Sequence, residues 1–190
     1  IIYCDDSNGC SGKLPDNLTT LAELEILDLK DNYFTQIPEG MNNLTKLRKL
    51  KLKNNLFQGV LPLEIFDIKT LTWLDVSRNQ FTGTIPENIN ELEDMTHLYF
   101  SYNQLSGTIP EGICELISLN QVYFNSNQFC PPYPECIEEY VGYQDISECE
   151  GMGDLNDGND INILDVILLV TILLDDAYVF SGDLNNDMSI

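Results

Sequence analysis

The chain has 190 residues, of which 9 are Lys or Arg and 31 are Asp or Glu, so its formal net charge is -22. This balance argues against direct binding to the phosphate backbone of a nucleic acid, which needs clustered cations. Hydrophobic residues make up 43% of the chain, so the acidity does not reflect disorder. We expect one large domain, or one medium and one small domain.

The six cysteines lie towards the two ends of a repeated region. An even number of cysteines in this arrangement predicts disulfides, and therefore an extracellular or cell-surface location. The chain begins at Ile1 without a Met or a signal peptide, from which we expect a processed secreted protein. The longest apolar stretch, residues 161–174, contains Asn162 and Asp165 and is too short to span a bilayer. The cysteines are Cys4, Cys10, Cys114, Cys130, Cys136 and Cys149.

We expect Cys4 to pair with Cys10 as a cap at the first repeat. The other four cysteines surround the last repeat, and the sequence leaves all three of their pairings open. The chain has no Cys-x-x-Cys pair and a single histidine, which argues against a zinc site.

A repeat of about 24 residues organises the first part of the chain. Its most regular position is an asparagine, and consecutive asparagines are 23, 24, 24 and 24 residues apart. Apolar residues stand five and three positions before each asparagine and two positions after it, and a proline closes each turn. The asparagines are Asn32, Asn55, Asn79, Asn103 and Asn127.

The pattern predicts a solenoid. Two apolar residues separated by one position form a short strand with both side chains facing inward. The asparagine amide at the turn can bond the backbone of neighbouring coils, which satisfies groups that the turn would otherwise leave without a partner. Each coil buries its apolar face only against the coils beside it.

These repeats resemble the leucine-rich repeat family in its 24-residue form with a Gly-x-Ile-Pro segment. Residues 83–86 and 107–110 carry that segment, whereas the unit around Asn32 is one residue short and has Gln36 there. The resemblance implies an α/β repeat solenoid with short parallel strands on its concave face. We assign the solenoid and its disulfide caps to residues 1–147 and a second domain to residues 148–190.

The outward side chains of the strands should form columns on the concave face, and two patches result. One repeat carries five of the nine basic residues, and aromatic residues lie beside it. Exposed aromatics beside local charge are typical of protein recognition, although the same rings suit sugar stacking or simply cover a solvated sheet. The candidate partner-binding residues are Lys49, Lys51, Lys53, Trp73, His97, Tyr99, Tyr102 and Tyr123.

Two further features concern chemistry. Asn17 and Asn43 begin Asn-Leu-Thr sequons, which are glycosylation sites where the organism glycosylates them. No nucleophile, paired carboxylate or phosphate-binding loop stands out, so we predict no catalytic residues and no enzyme activity.

The composition changes near Glu135. From there to Ile190 the chain has 14 Asp and Glu and no Lys or Arg. Residues 154–165 place side-chain oxygens at positions 1, 3, 9 and 12 of a twelve-residue loop, which is calcium-loop spacing. A second loop begins at Asp183 and stops at its eighth position. The candidate Ca²⁺ ligands are Asp154, Asn156, Gly158, Asp160, Asn162, Asp165, Asp183, Asn185 and Asp187.

This duplicated loop-then-helix unit resembles a dockerin, the calcium-dependent docking module of secreted bacterial proteins. The resemblance implies a cohesin-like partner, with loop positions 10 and 11, here Ile163 and Leu164, contributing to partner choice. Gly158 and Asn159 depart from the usual Asp and Gly, which should weaken the first site. The second loop would need further residues or a partner to complete it.

The sequence therefore predicts a secreted, non-enzymatic interaction protein in which a solenoid recognises a partner and a calcium module attaches it to a scaffold or cell surface. One alternative is a filament subunit, in which the basic repeat of one chain meets the acidic segment of the next. Another is a solenoid that binds carbohydrate or inhibits an enzyme through its aromatic residues.

Overall fold

The structure, a computed structural model, describes the backbone of residues 3–5 and the whole of residues 9–149. The chain divides into two units, residues 1–147 and residues 148–190, and the fold below is that of the first. All the candidate Ca²⁺ ligands, from Asp154 to Asp187, lie outside the described residues, as do Ile163 and Leu164. The calcium module therefore remains a sequence prediction.

Short strands alternate with short 3-10 helices along the solenoid. The 3-10 helices are Asp16–Thr20, Met41–Asn43, Leu63–Ile65, Glu87–Glu91 and Glu111–Glu115. One short α-helix, α1, spans Glu138–Val141. The strands are β1 (Tyr3–Asp5), β2 (Gly9–Lys13), β3 (Ile26–Asp28), β4 (Tyr33–Gln36), β5 (Lys49–Lys51), β6 (Gln58–Val60), β7 (Trp73–Asp75), β8 (Gln80–Gly83), β9 (His97–Tyr99), β10 (Gln104–Gly107), β11 (Gln121–Tyr123) and β12 (Gln128–Phe129).

The first sheet is the predicted one. Its five strands are parallel and follow the order β11-β9-β7-β5-β3. The register places the central leucine of each strand beside that of the next, for example Leu50 beside Leu74 and Leu74 beside Leu98. These leucines are fully buried, so the flanking residues of each strand point outward and form the predicted columns.

A second parallel sheet, which the sequence analysis did not predict, runs along another side of the coils in the order β12-β10-β8-β6. The segments that follow the repeated asparagines build it, such as residues 80–83 after Asn79, and each strand pairs with its counterpart in the neighbouring coil. Gly83 and Gly107 have φ angles of 77° and 74°. A Cβ atom at Gly107 would lie 2.9 Å from Cγ2 of Thr84, so the glycines also allow close coil stacking.

This second sheet is interrupted at the short repeat. Strand β4 pairs with β2 instead of β6, and the sheet β1-β2-β4 is separate. A Cβ atom built at Gly59 in β6 would have no other atom within 4 Å, unlike one at Gly83 or Gly107. The missing residue near Gln36 thus removes one coil-to-coil contact from this side of the solenoid.

The repeated asparagines form the ladder that their spacing predicts. Oδ1 of Asn79 accepts a hydrogen bond from the backbone N–H of Phe57 at 3.1 Å. Its Nδ2 donates to the carbonyl oxygens of Leu52 and Val76, each at 3.0 Å. The same three bonds recur at Asn55, Asn103 and Asn127. The amide therefore satisfies the backbone of its own coil and of the preceding coil.

The ladder ends on a residue that the repeat does not indicate. Gln144 is buried, and its Oε1 accepts from the N–H of Phe129 at 3.2 Å. Its Nε2 donates to the carbonyls of Phe124 and Val141. Gln144 thus makes, at the last coil, the contacts that Asn127 makes one coil earlier.

Phenylalanines fill the interior between the coils. Phe34, Phe57 and Phe81 stack with ring centroids 6.3 and 6.0 Å apart. Phe100 stacks on Phe124 at 5.6 Å. Offset stacking of this kind stabilises a core beyond the area that it buries. The repeat therefore produces one continuous hydrophobic core along the solenoid.

Disulfides lie at the ends of this core. Cys114 pairs with Cys136, which resolves part of the pairing that the sequence left open. Cys10, Cys130 and Cys149 are also disulfide-bonded. The register of β1 and β2 places Cys4 opposite Cys10, in the position expected for the predicted pair. Across the part of the chain that the structure describes, no helix has the length and apolar character of a membrane span.

Candidate functional site

The candidate site lies on the concave sheet, where the last three strands each contribute aromatic side chains. Trp73 of β7 and His97 of β9 occupy equivalent positions in adjacent strands. Their rings stack with centroids 4.0 Å apart and an interplanar angle of 14°. The parallel register forces this contact, because neighbouring strands in a sheet are about 4.8 Å apart.

The stack of rings continues into the neighbouring column of outward side chains, which contains Tyr99 and Tyr123. Tyr99 meets the edge of Trp73 at 5.5 Å and stacks on Tyr123 at 5.4 Å. The Tyr99 hydroxyl donates a hydrogen bond to the side-chain oxygen of Gln121, which holds the ring in place. Trp73, His97, Tyr99 and Tyr123 thus form a continuous aromatic row across three strands.

Basic residues of one coil border the aromatic row on the side of β5. The ammonium groups of Lys49 and Lys51 lie 5.6 and 5.0 Å from the centre of the Trp73 ring. Lys51 also lies 3.6 Å from a carboxylate oxygen of Asp28. The ammonium groups of the two lysines are attracted to the face of the Trp73 ring, so positive charge lies next to the aromatic row. The lysine coil comprises Lys46, Arg48, Lys49, Lys51 and Lys53.

Beside the aromatic row is an open cleft of about 390 Å³. Asp75 and Ser77 are buried at its base. Oδ1 of Asp75 accepts hydrogen bonds from the backbone N–H and the hydroxyl of Ser77, at 3.1 and 2.6 Å. The base of the cleft is thus polar and internally bonded, and the walls include Trp73 and Tyr99.

Arg78 and Tyr102 complete the rim of the cleft. Each stands one residue before a ladder asparagine and has a left-handed backbone, with φ of 56° and 59°. The Arg78 guanidinium lies 4.4 Å from the centre of the Tyr102 ring. Tyr102 was predicted, whereas Arg78, Asp75 and Ser77 were not. For Arg78 the available signal was its position one residue before a ladder asparagine, which it shares with Tyr102.

Two titratable groups in the row are shifted from their ordinary behaviour. Burial, and next the charge of Lys49, lower the pKa of His97 below 6.5. Burial, with smaller effects of Tyr123 and Asp75, raises the pKa of Tyr99 above 10.0. Near neutral pH the row therefore presents a neutral imidazole and a phenol that can donate a hydrogen bond.

Trp73 has one further property. Its Nε1–H is buried and has no hydrogen-bond acceptor among the described residues. A buried donor without an acceptor destabilises a fold by about 1–3 kcal/mol. Most buried polar groups in native structures have a hydrogen-bond partner, so Trp73 is an exception.

The remaining predicted positions lie partly in the site and partly away from it. Asn17 and Asn43 are exposed on the 3-10 helices Asp16–Thr20 and Met41–Asn43, away from the concave strands. Lys53 lines the cleft together with the aromatic residues. Within the described ranges, 3–5 and 9–149, no group of three His, Cys, Asp or Glu side chains could hold a metal ion. The geometry suits contact with a partner along the sheet.

Comparison with known proteins identifies the repeats. The Leucine Rich Repeat family model matches residues 23–44, 70–92 and 94–116, so the chain contains leucine-rich repeats and folds as a leucine-rich-repeat solenoid. No curated protein shows significant similarity to the chain.

Solved structures with the same fold include extracellular parts of plant receptors. A TDR receptor is 37% identical, with a TM-score of 0.65 over 68% of this chain and 23% of its own. The complex PEPR1–AtPEP1 is 36% identical, with a TM-score of 0.61 over 63% of this chain and 17% of its own. The plant peptide hormone receptor RGFR1, in complex with RGF2, is 30% identical, with a TM-score of 0.61 over 63% of this chain and 19% of its own. The chain spans less than a quarter of the length of these structures.

Proposed function

We propose that this chain is an extracellular, non-enzymatic interaction protein that binds a polypeptide partner on its concave sheet. The observation that carries the proposal is the aromatic row beside the lysine coil. Four rings in mutual contact give a rigid surface of large area, and binding such a surface immobilises few side chains. Binding energy at protein interfaces concentrates in Trp, Tyr and Arg residues of this kind.

Three further observations support an extracellular polypeptide as the partner. Disulfides at the solenoid ends favour an oxidising compartment. Two of the similar structures are described as complexes, of PEPR1 with AtPEP1 and of RGFR1 with RGF2. The adjoining cleft also offers buried polar groups beside its aromatic walls, which is typical of a surface that orients a ligand. A sugar ring could stack on the same tyrosines, but the cations beside Trp73 favour a partner with charged side chains.

The capture of a partner by concave-face variants tests this proposal. The chain is immobilised and exposed to the extracellular fluid of its source, and bound proteins are identified. We expect wild type and a control with Thr82→Ala, in β8 of the second sheet, and Thr108→Ala, directly after β10, to retain the same protein. The variant with Trp73→Ala, Tyr99→Ala and Tyr123→Ala should lose it. Equal capture by all three proteins would contradict the proposal.

The second part of the proposed function is attachment through calcium. Residues 154–165 carry oxygen ligands at the spacing of a calcium loop, in a segment that has no cation to offset its carboxylates. We expect Ca²⁺ to raise the melting temperature of the full chain and Asp154→Ala with Asp165→Ala to abolish that increase. An equal increase in the variant would show that the first loop is misassigned. Docking itself requires a cohesin-like partner.

Charge segregation favours one competing function, a filament built from copies of this chain. Residues 135–190 have 14 acidic and no basic residues, whereas the lysine coil holds five of the nine cations. Contact between these regions on successive copies would be heterologous, and repeated contacts of this kind would build an open-ended filament. Light scattering distinguishes the two: growth in particle size with Ca²⁺ that reverses on chelation supports a filament, and a monomer in both conditions rejects it.

A further inference from the structure

We infer that the partner segment bound by the concave sheet is acidic and that its carboxylate lies against Lys49 and Lys51 beside Trp73. The inference rests on the proposed function, since it names the chemistry of the partner that the aromatic row binds. It adds a requirement for charge, which the aromatic row alone does not impose.

The first support is the state of the lysine charges. Within the described residues, Lys49 and Lys53 have no carboxylate within 4.0 Å, and Lys51 has Asp28 at 3.6 Å. Lys49 and Lys51 are half-buried, and their ammonium groups lie 5.6 and 5.0 Å from the centre of the Trp73 ring. A cation that is not already paired with a carboxylate is available to attract an acidic partner.

The second support is the contrast with the rest of the molecule. The chain carries a net charge of -22, and an acidic segment is repelled by most of its surface. Screening limits that repulsion to about 8–10 Å at ordinary salt concentrations. The lysine coil is thus a local positive region, and it directs an acidic partner to one place on the surface.

The third support is the geometry beside the lysines. The ammonium groups of Lys49 and Lys51 lie 5.6 and 5.0 Å from the centre of the Trp73 ring, so a carboxylate bound to them lies next to the aromatic row. Tyr99 and Tyr123 continue from the same ring over the next two strands. From the lysines of β5, Tyr99 is two strands away and Tyr123 is three, which amounts to about 10–14 Å, or roughly three to four residues of extended chain. The fitting segment has an acidic residue and, about three positions away, a large apolar residue.

Bound carboxylate should also change the titration of His97. Around this ring lie Lys49 from β5, the rings of Trp73 and Tyr99 at 4.0 and 6.0 Å, and Gln121 beside it in β11. The Thr96 hydroxyl lies 2.7 Å from its Nδ1. Lys49 is the nearby cation that disfavours the imidazolium. An anion placed against Lys49 offsets that effect, and protonation of His97 becomes easier in the complex.

Two peptides that differ only in charge test the inference. One is acetyl-Glu-Glu-Gly-Gly-Phe-amide and the other is acetyl-Gln-Gln-Gly-Gly-Phe-amide, so neither has a terminal carboxylate. Trp73 is the single tryptophan of the chain, and its fluorescence reports binding at the site. We expect the glutamate peptide to bind at least about tenfold more tightly, a difference of roughly 1.4 kcal/mol. Its affinity should fall as salt is added.

Variants assign the effect to the lysines. Lys49→Ala with Lys51→Ala should abolish the preference for the glutamate peptide, whereas Lys13→Ala with Lys69→Ala, away from the concave strands, should preserve it. Equal binding of both peptides, binding of neither, or binding only of polygalacturonate as an anionic sugar would overturn the inference. If the captured partner binds the Lys49/Lys51 variant normally and the aromatic variant poorly, the inference fails and the proposed function stands.

Discussion

Trp73 and His97 are the only tryptophan and the only histidine of the chain, and their rings stack at 4.0 Å on adjacent strands. The contact lies at the junction of the lysine coil and the aromatic row. Each residue therefore gives a single spectroscopic signal from the surface that we propose as the binding site, without substitution or labelling elsewhere.

The first prediction concerns the protonation of His97. Its pKa lies below 6.5 because of burial and the nearby charge of Lys49. A proton NMR titration of the imidazole should therefore have a midpoint below 6.5, and Lys49→Ala should move that midpoint upward. Lys13→Ala serves as a control that leaves the midpoint unchanged. A wild-type midpoint above 6.5 would contradict the arrangement of these side chains.

The same shift has a consequence for stability. Between the lowered folded-state pKa of His97 and 6.5, the unfolded chain binds more protons than the folded chain. The contribution of His97 to the free energy of unfolding is thus fully present above pH 6.5 and is lost as the pH falls to the folded-state value. Urea denaturation of wild type and His97→Gln across this window should show a smaller pH dependence in the variant.

The second prediction concerns the asparagine ladder. Asn79→Ala removes an acceptor from the N–H of Phe57 and a donor from two buried carbonyls. We expect a loss of about 1–3 kcal/mol in the free energy of unfolding, because the N–H of Phe57 stays buried without an acceptor. The two carbonyls each keep one hydrogen bond, from Asn55 and from Asn103. The exposed Asn42→Ala should change it by less than about 0.5 kcal/mol. Equal effects of the two substitutions in urea denaturation would refute the structural role of the ladder.

The third prediction compares two glycines of the second sheet. Gly59 and Gly107 both have positive φ angles, 80° and 74°, so alanine at either position costs about 1–2 kcal/mol in backbone strain. Only Gly107 would bring its Cβ within 2.9 Å of Thr84. Gly107→Ala should therefore destabilise the fold by about 1–3 kcal/mol more than Gly59→Ala. Thermal melts of the two variants measure the difference, and identical melts would show that the coils do not pack as described.

The fourth prediction concerns the end of the solenoid. The Cys114–Cys136 disulfide joins residues 22 positions apart. Replacement of both cysteines by serine should lower the free energy of unfolding by about 3 kcal/mol, since the bond restricts the unfolded chain. Hydrogen exchange should show the largest loss of protection in β11 and α1, which adjoin the bond. Unchanged stability would mean that the cap contributes little.

Much of this architecture was predictable from the repeat. The spacing of Asn55, Asn79 and Asn103 fixes which residues share a column, and strand alternation decides that Trp73 and Tyr99 face outward. The second sheet was not evident, because segments such as residues 80–83 depend on stacking between coils for their extended conformation. Gln144 falls outside the 24-residue period, and only the folded chain places it on the ladder.

The candidate site, like the fold, was predictable only in part. The column positions identified the lysines and aromatic residues, whereas the unpartnered Nε1 of Trp73 and the ring contact of Arg78 with Tyr102 depend on side-chain rotamers that spacing does not determine. The calcium loops rest on spacing alone, since they lie outside the described residues.

The most direct test of the central claim is the affinity of the captured partner for concave-face variants, measured by isothermal titration calorimetry. Trp73→Ala with Tyr123→Ala should weaken binding by about 100-fold, or roughly 2.7 kcal/mol, as expected where aromatic residues carry the binding energy. Thr82→Ala with Thr108→Ala should leave the affinity unchanged. If the concave variant binds as wild type does, or the second-sheet variant loses binding instead, the concave surface is not the recognition site.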